Sequence, residues 1–557
     1  MPSQRARPHP LWAWVIALAA VVPTIGAIYW AAQPLWAAPW WQPLSEQGAL
    51  HSLALSAWTA IASTVLSVVL CNVILSRTLH GHRLDQHPWT RHLGWALATP
   101  HLAFALALGW LIAPTGLIWR ALASATGWPA TPIDWPTTHD PLALAMIAVL
   151  VMKELPFLLW ISWAEWQRAD QRLHWQKQWT SAQTWGYDPW QAWRIAVAPD
   201  LWMRMRWPVL AVWAYGWGVV DVGLAIGPTT PPTGAVLAWQ WLHDADAGMR
   251  HAGVALSWLL GLGVALGGWA IVARRHATPS AARSTLALRT RQKRAPTWWQ
   301  HVSVWIAPVI ACIYLLALAV TLVLSFVQLW PYPELWPTHW TSQAWQAVWQ
   351  GAGTISDTLT LSVASTFTSM VLLVAWFEAA PRRMQQISQH WALIWLVSPP
   401  LLWLWGLHSL MITWGFEASW SAVYIGHVFA VLPYVLLTLG PAYLSFDTRF
   451  TDAAATLGKG WWSQCRHIKW PMLRAPLWRS AAIGWAVSVT QYLPTEWLGG
   501  GRVTTLTTEA LAQSSGGQRS ISAAWALAQW VLPMLAFAWA MRRSQSKASR
   551  TQQTSAR

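Results

Sequence analysis

The sequence predicts an all-α polytopic membrane protein made of two tandem six-helix halves, about twelve spans, with both termini in the cytoplasm. Three observations carry that expectation. The first is composition: 55% of the 557 residues are hydrophobic and only 10% are charged, with a mean hydropathy of +0.31. Soluble domains carry roughly 25% charged residues. The second is where Lys and Arg fall: between apolar runs and nearly all on one side, as positive-inside sorting produces. That sorting, and not nucleic-acid binding, accounts for the net charge of +16. The third is an internal repeat, which divides the chain into halves 1–273 and 301–541.

Taken in order, Arg5 and Arg7 precede a first apolar run, 11–31, long enough to cross as an anchor and longer than the h-region of a signal peptide. The basic flank places the N-terminus in the cytoplasm. Run 53–75 returns to a loop with Arg77, Arg83 and Arg91, and run 93–113 contains Pro100 and His101. Run 141–163 enters a basic loop; runs 207–226 and 252–273 complete the first half. The stretch 274–300 reads as a cytoplasmic linker, with seven Lys or Arg and no acid. The second half repeats the plan at 302–326, 354–379, 391–414, 420–444, 480–498 and 521–541, and a basic tail follows, 542–557. Gly/Pro/Thr stretches at 227–233 and 499–508 are expected to break the helices there, lining water or protein. Belts at the bilayer interface explain some of the 53 tryptophans, but many fall within spans.

The stretch that organises the chain is DAAATLGKGWWSQCRHIKWP, Asp452 to Pro471, in the loop after the fourth run of the second half. Asp452, Ala453 and Ala454 favour a helix start, Gly458 allows a sharp turn, and a second segment with Arg466 and Ile468 runs to Pro471. A weaker copy, TSAQTWGYDPWQAWRIAVAP, occupies the matching loop of the first half, with Ser181, Ala182, Gly186, Arg194 and Pro199. The Gly-to-Pro distance is thirteen residues in both copies, and each Arg stands five before its Pro.

This pattern resembles the cytoplasmic EAA loop of ABC-importer permeases. The segments TPHLAFA, VMKELPFLLWI, VVDVGLAIGPTTPPT and QYLPTEWLGGGRVTTLTTEALAQSSGG extend the resemblance to fused permeases of the iron(III)/thiamine type, YnjC-like subgroup, over nearly the full length. The first loop departs from the pattern, with Thr180-Ser181-Ala182 where the family has Glu-Ala-Ala. The resemblance implies an importer of the bacterial inner membrane. Its partners are two copies of an ABC ATPase docked at the two loops and a periplasmic binding protein, with ATP and magnesium on the ATPase and no cofactor in this chain. The expected solute is thiamine-like or iron(III)-like.

Consistent with a non-enzymatic subunit, the chain has no phosphate-binding loop, HExxH or GxSxG motif. Cys71, Cys312 and Cys465 lie scattered with no metal-ligand spacing. Polar residues at membrane depth are the remaining signal, because an ionised side chain mid-bilayer costs about 2.5–3.5 kcal/mol on translocon scales. His101, Lys153, Glu154, Asp221, Gln491, Tyr492 and Glu496 are therefore candidates to line a path. For Lys153, Glu154 and Asp221 an inter-helix ion pair that fixes the bundle stands beside that reading. The alternative function is an ion-coupled secondary transporter with two six-helix repeats, using Glu154 or Asp221.

Overall fold

The computed structural model describes residues 10–37, 39–46, 48–78, 88–273 and 298–545. The N-terminal Arg5 and Arg7, Arg83, linker residues 274–297 and the tail beyond Gln545 lie outside the described residues; 298–300 open a helix.

In chain order the first half contributes α1 (Pro10–Ala32), α2 (Ala49–Thr78), α3 (Pro88–Ala98), α4 (His101–Ile112), α5 (Leu117–Thr126) and α6 (Leu144–Gln167). It continues with α7 (Ala169–Thr184), α8 (Ala198–Gly218), α9 (Asp221–Ile226), α10 (Gly234–Leu242) and α11 (Ala247–Ala273). The second half contributes α12 (Trp298–Leu324), α13 (Gln343–Gln350), α14 (Ala352–Ala379), α15 (Arg382–Val397), α16 (Pro400–Thr413) and α17 (Trp420–Leu444). Then come α18 (Arg449–Thr456), α19 (Arg474–Val489), α20 (Leu493–Gly499), α21 (Leu506–Ser515) and α22 (Arg519–Gln545). One short antiparallel pair, β1 (Val327–Leu329) with β2 (His339–Trp340), interrupts this helical order.

Among the described residues, nine helices are long and apolar enough to cross a membrane, and α15 with α16, bent by 99°, would make a tenth crossing. The chain is thus an all-α polytopic membrane protein. The two apolar runs that fall short are the fifth of each half. Each is interrupted before the Gly/Pro/Thr stretch where the sequence placed its break, at Val219-Val220 and at Thr490–Tyr492. The third run of each half is also in two pieces, split before Pro100 and before Pro399. Proline disfavours a helical conformation in the residue ahead of it, which explains both splits.

The helices sort into two compact units, one of residues 39–340 and the other of 1–38 with 341–557. Each unit therefore takes its first-run helix from the other sequence repeat. In the first unit, α12 packs on α4 and α2, and Phe104 stacks on Tyr314 at 4.6 Å. In the second unit, α1 packs on α16, where a Cβ on Gly406 would collide with the Ala27 backbone. Small residues that allow such close approach are how helices associate in lipid, where apolar burial between helices gains little.

Proline inside a membrane helix orphans the carbonyl four residues earlier, and such groups must be satisfied within the protein. Met152, four before Pro156, accepts the Tyr314 hydroxyl at 2.8 Å. The donor comes from α12, so this bond also ties that helix to its unit. Arg120, 4% exposed, adds a second tie. It donates to the carbonyls of Thr115, Trp330, Pro331 and Glu334 at 2.7–2.9 Å and lies 4.7 Å from the Trp330 ring.

Candidate functional site

The loops 180–199 and 452–471 fold alike. Helix α7 ends in Trp185-Gly186 and α18 in Leu457-Gly458, with both glycines at positive φ, +85° and +82°. The Gly186 and Tyr187 amides return to the carbonyls of Gln183 and Ala182 at 2.9 and 3.3 Å. The Gly458 and Lys459 amides return to Ala455 and Ala454, both at 3.0 Å. This is the Schellman closure, which needs a left-handed residue at the glycine. It explains the spacing in the sequence: Ala182 and Ala454 supply the carbonyl that the outermost amide reaches. A Cβ on either glycine would meet nothing within 4 Å, so only the backbone demands glycine there.

A short helical turn follows, 189–192 and 461–464, and then a five-residue π turn, Trp193–Val197 and Cys465–Lys469. The first short turn is closed by a capping box between Asp188 and Gln191. Pro199 and Pro471 were expected to end their segments. Instead each lies in the first turn of the helical stretch after the π turn, where a missing amide is tolerated. Arg194 and Arg466, the second residues of the π turns, are exposed, as are Ser181, Asp452 and Ala453; Ile468 and Ala182 are half-buried and Ala454 is buried. The sequence reading did not single out Trp185 and Leu457, which precede the glycines and are 70% and 80% exposed. Their signal was a large apolar side chain at one position in both copies.

The two loops are held differently. In the first, Trp175, Trp179 and Trp193 are buried in an apolar cluster with Leu75 of α2, Leu158 of α6 and Leu201 of α8. Trp166 stacks on Trp175, whose Nε1 donates to Asp200 at 2.7 Å. Part of the tryptophan excess is thus structural. In the second, Glu378 at the end of α14 accepts from Lys469 Nζ at 2.9 Å and Trp470 Nε1 at 3.3 Å. Cys465 Sγ lies 3.6 Å from the same carboxylate. Burial, reinforced by the Glu378 charge, pushes the Cys465 thiol up to about 12, so it stays protonated and unreactive near neutral pH.

At membrane depth, four of the predicted polar residues lie in the unit 39–340. His101 opens α4, with Nε2 3.5 Å from Glu154 Oε1 of α6. Its ring packs 4.8 Å from Tyr215, and Asp221, first residue of α9 after the break, is in electrostatic reach of the same imidazole. Lys153 points elsewhere. Its Nζ donates to the carbonyls of Ala96 and Thr99 at 2.7 and 2.5 Å. Ala96 is the carbonyl orphaned by Pro100, so Lys153 closes the split between α3 and α4.

Gln491, Tyr492 and Glu496 belong to the other unit and surround its corresponding break. There the Thr495 hydroxyl donates to the Gln491 carbonyl at 3.2 Å and Thr507 to the Val489 carbonyl at 2.6 Å. His427 sits between Ser488 and Thr495 at 2.8 and 2.9 Å. Glu496 is half-buried in the first turn of α20. Among the described residues, no three of His, Cys, Asp and Glu converge to hold a metal ion.

The chain is 30% identical over 544 residues to the inner membrane ABC transporter permease protein YnjC of Escherichia coli (strain K12), a match that covers 95% of this chain and 94% of that protein. No family model matches the chain.

Proposed function

Because this chain belongs to the ABC transporter permeases and is a multi-pass protein of the inner membrane, we propose that it is the fused permease of a binding-protein-dependent importer. Two ATPase copies dock at the loops around Gly186 and Gly458, and closure of the nucleotide-bound pair moves the attached spans by alternating access. The observation that carries this reading is the duplicated loop. Two segments forty-one residues ahead of matched glycines adopt the same turn and present an exposed apolar residue at the same place, Trp185 and Leu457. An exposed large apolar side chain at a fixed point of a polar loop is what a docking groove would take. Family membership also sets aside the ion-coupled carrier.

The chain purified from native membranes should retain an ATPase, two copies to each permease, by mass measurement of the complex. Solute uptake by the purified chain alone, with no nucleotide-hydrolysing partner, would sink the proposal.

Within this family we assign the importer to the iron(III)/thiamine type and its solute to the cations. Support comes from the charge around His101: Glu154 lies 3.5 Å from it and Asp221 is in electrostatic reach, while Lys153, next to Glu154 in the chain, is committed to two carbonyls. Calorimetry on the periplasmic protein that stimulates uptake through this permease should show affinity for thiamine or iron(III) and none for phosphate or sulfate.

A further inference from the structure

We infer that Glu378 is a positioning residue for transport, tying the second coupling loop to α14 so that displacement of the loop is carried into that span. The inference rests on the ATPase docking proposed above for the loop around Gly458. Three donors converge on one carboxylate: Cys465 at the start of the π turn, Lys469 at its end, and Trp470 just beyond. The Glu378 and Lys469 side chains are 6% and 17% exposed, so water competes little for the pair. Charge-assisted bonds are stronger than neutral ones, and low solvent access leaves them weakly screened.

The same ammonium stands 4.8 Å from the ring of Tyr443 at the end of α17 and 5.8 Å from Phe446 just beyond it. One ion pair thus joins the π turn to two spans. It is not needed to shape the loop's glycine turn, which closes through its own backbone amides.

The first loop has a counterpart that points the same way. Asn72 of α2 accepts from Trp193 Nε1 at 2.9 Å and Trp202 Nε1 at 3.4 Å. Trp193 and Cys465 are the first residues of their π turns. In each unit, then, the second-run helix of the repeat grips that residue with one polar side chain, neutral in one repeat and charged in the other. A π turn is a widened, weakly bonded point in a helix and is common at functional sites. A grip at that point couples the loop to a span instead of leaving the π turn to absorb the motion.

The test uses the full chain with its co-purified ATPase in proteoliposomes, carrying Cys312→Ala and a reporter, Gly353→Cys, in the first turn of α14. Gly353 is exposed, with open space around its Cα. The reading is the labelling rate by an impermeant maleimide, with and without ATP and vanadate. Nucleotide should change that rate in the parent. Glu378→Gln and Glu378→Ala should each shrink the change by about threefold or more with the ATPase still bound. An undiminished change in both variants overturns the inference, as does a parent that binds ATPase but shows no nucleotide effect at the reporter. Loss of the ATPase in both variants also overturns it, since the carboxylate would then only hold the docking surface in shape. Failure of the parent itself to bind any ATPase is distinguishable, because it refutes the docking reading.

Discussion

Lys153 shows how one residue's type and its role part company. A lysine in an apolar run invites a functional reading, because lipid excludes its charge. Here the chain spends it on backbone repair: Pro100 removes the amide that Ala96 would have bonded, and the ammonium takes its place. Tyr314 does the same for the carbonyl ahead of Pro156. Lys153→Met fills similar volume but strands Ala96 and Thr99. It should cost about 1.5–3 kcal/mol, the range for a hydrogen bond to a charged group. Thermal unfolding of the detergent-solubilised protein measures this; an unchanged midpoint would mean that water already serves those carbonyls.

At the scale of elements, the loops around Gly186 and Gly458 are one design held by two chemistries. The turn is identical because the same left-handed glycine and the same return bonds close it. The anchorage differs, with stacked tryptophans in the first loop and a buried carboxylate in the second. Gly458→Ala isolates the turn, since a Cβ there meets nothing within 4 Å and only the left-handed backbone is penalised, by about 1–2 kcal/mol. The variant should insert normally and bind ATPase, yet show ATP hydrolysis uncoupled from uptake. Uptake per ATP equal to wild type would count against the loop as a lever.

For the whole molecule, the decisive feature is that compact units and sequence repeats do not coincide. Residues 298–340 belong with the first repeat's helices and 1–38 with the second's. Arg120 explains part of this, since its guanidinium holds three carbonyls between Trp330 and Glu334. Expressed separately, fragments 1–273 and 298–557 would each lack a helix that their unit buries against. Each alone should aggregate or be degraded, whereas co-expression should give a complex that elutes as the intact chain does on size exclusion. A monodisperse 1–273 fragment would show that the exchanged helix contributes little.

The helical membrane class, the order of the apolar runs and the positions of both loops were legible in the sequence. They follow from local quantities: hydropathy, the sidedness of Lys and Arg, and a glycine whose φ only glycine adopts freely. The breaks at Val219-Val220 and Thr490–Tyr492 were not legible, because Gly218 beside the first and Pro494 after the second do not fix where a helix opens, and distant hydroxyls such as Thr507 satisfy the freed carbonyls. Nor could sequence show that Lys153 serves Ala96, that Glu378 holds Lys469, or that Tyr314 joins α12 to the other repeat. Each is a pairing between residues far apart in the chain, with at least one partner buried. The repeats themselves come from sequence; the exchange of their first helices comes from which orphaned carbonyls and small-residue faces each helix meets once the chain is folded.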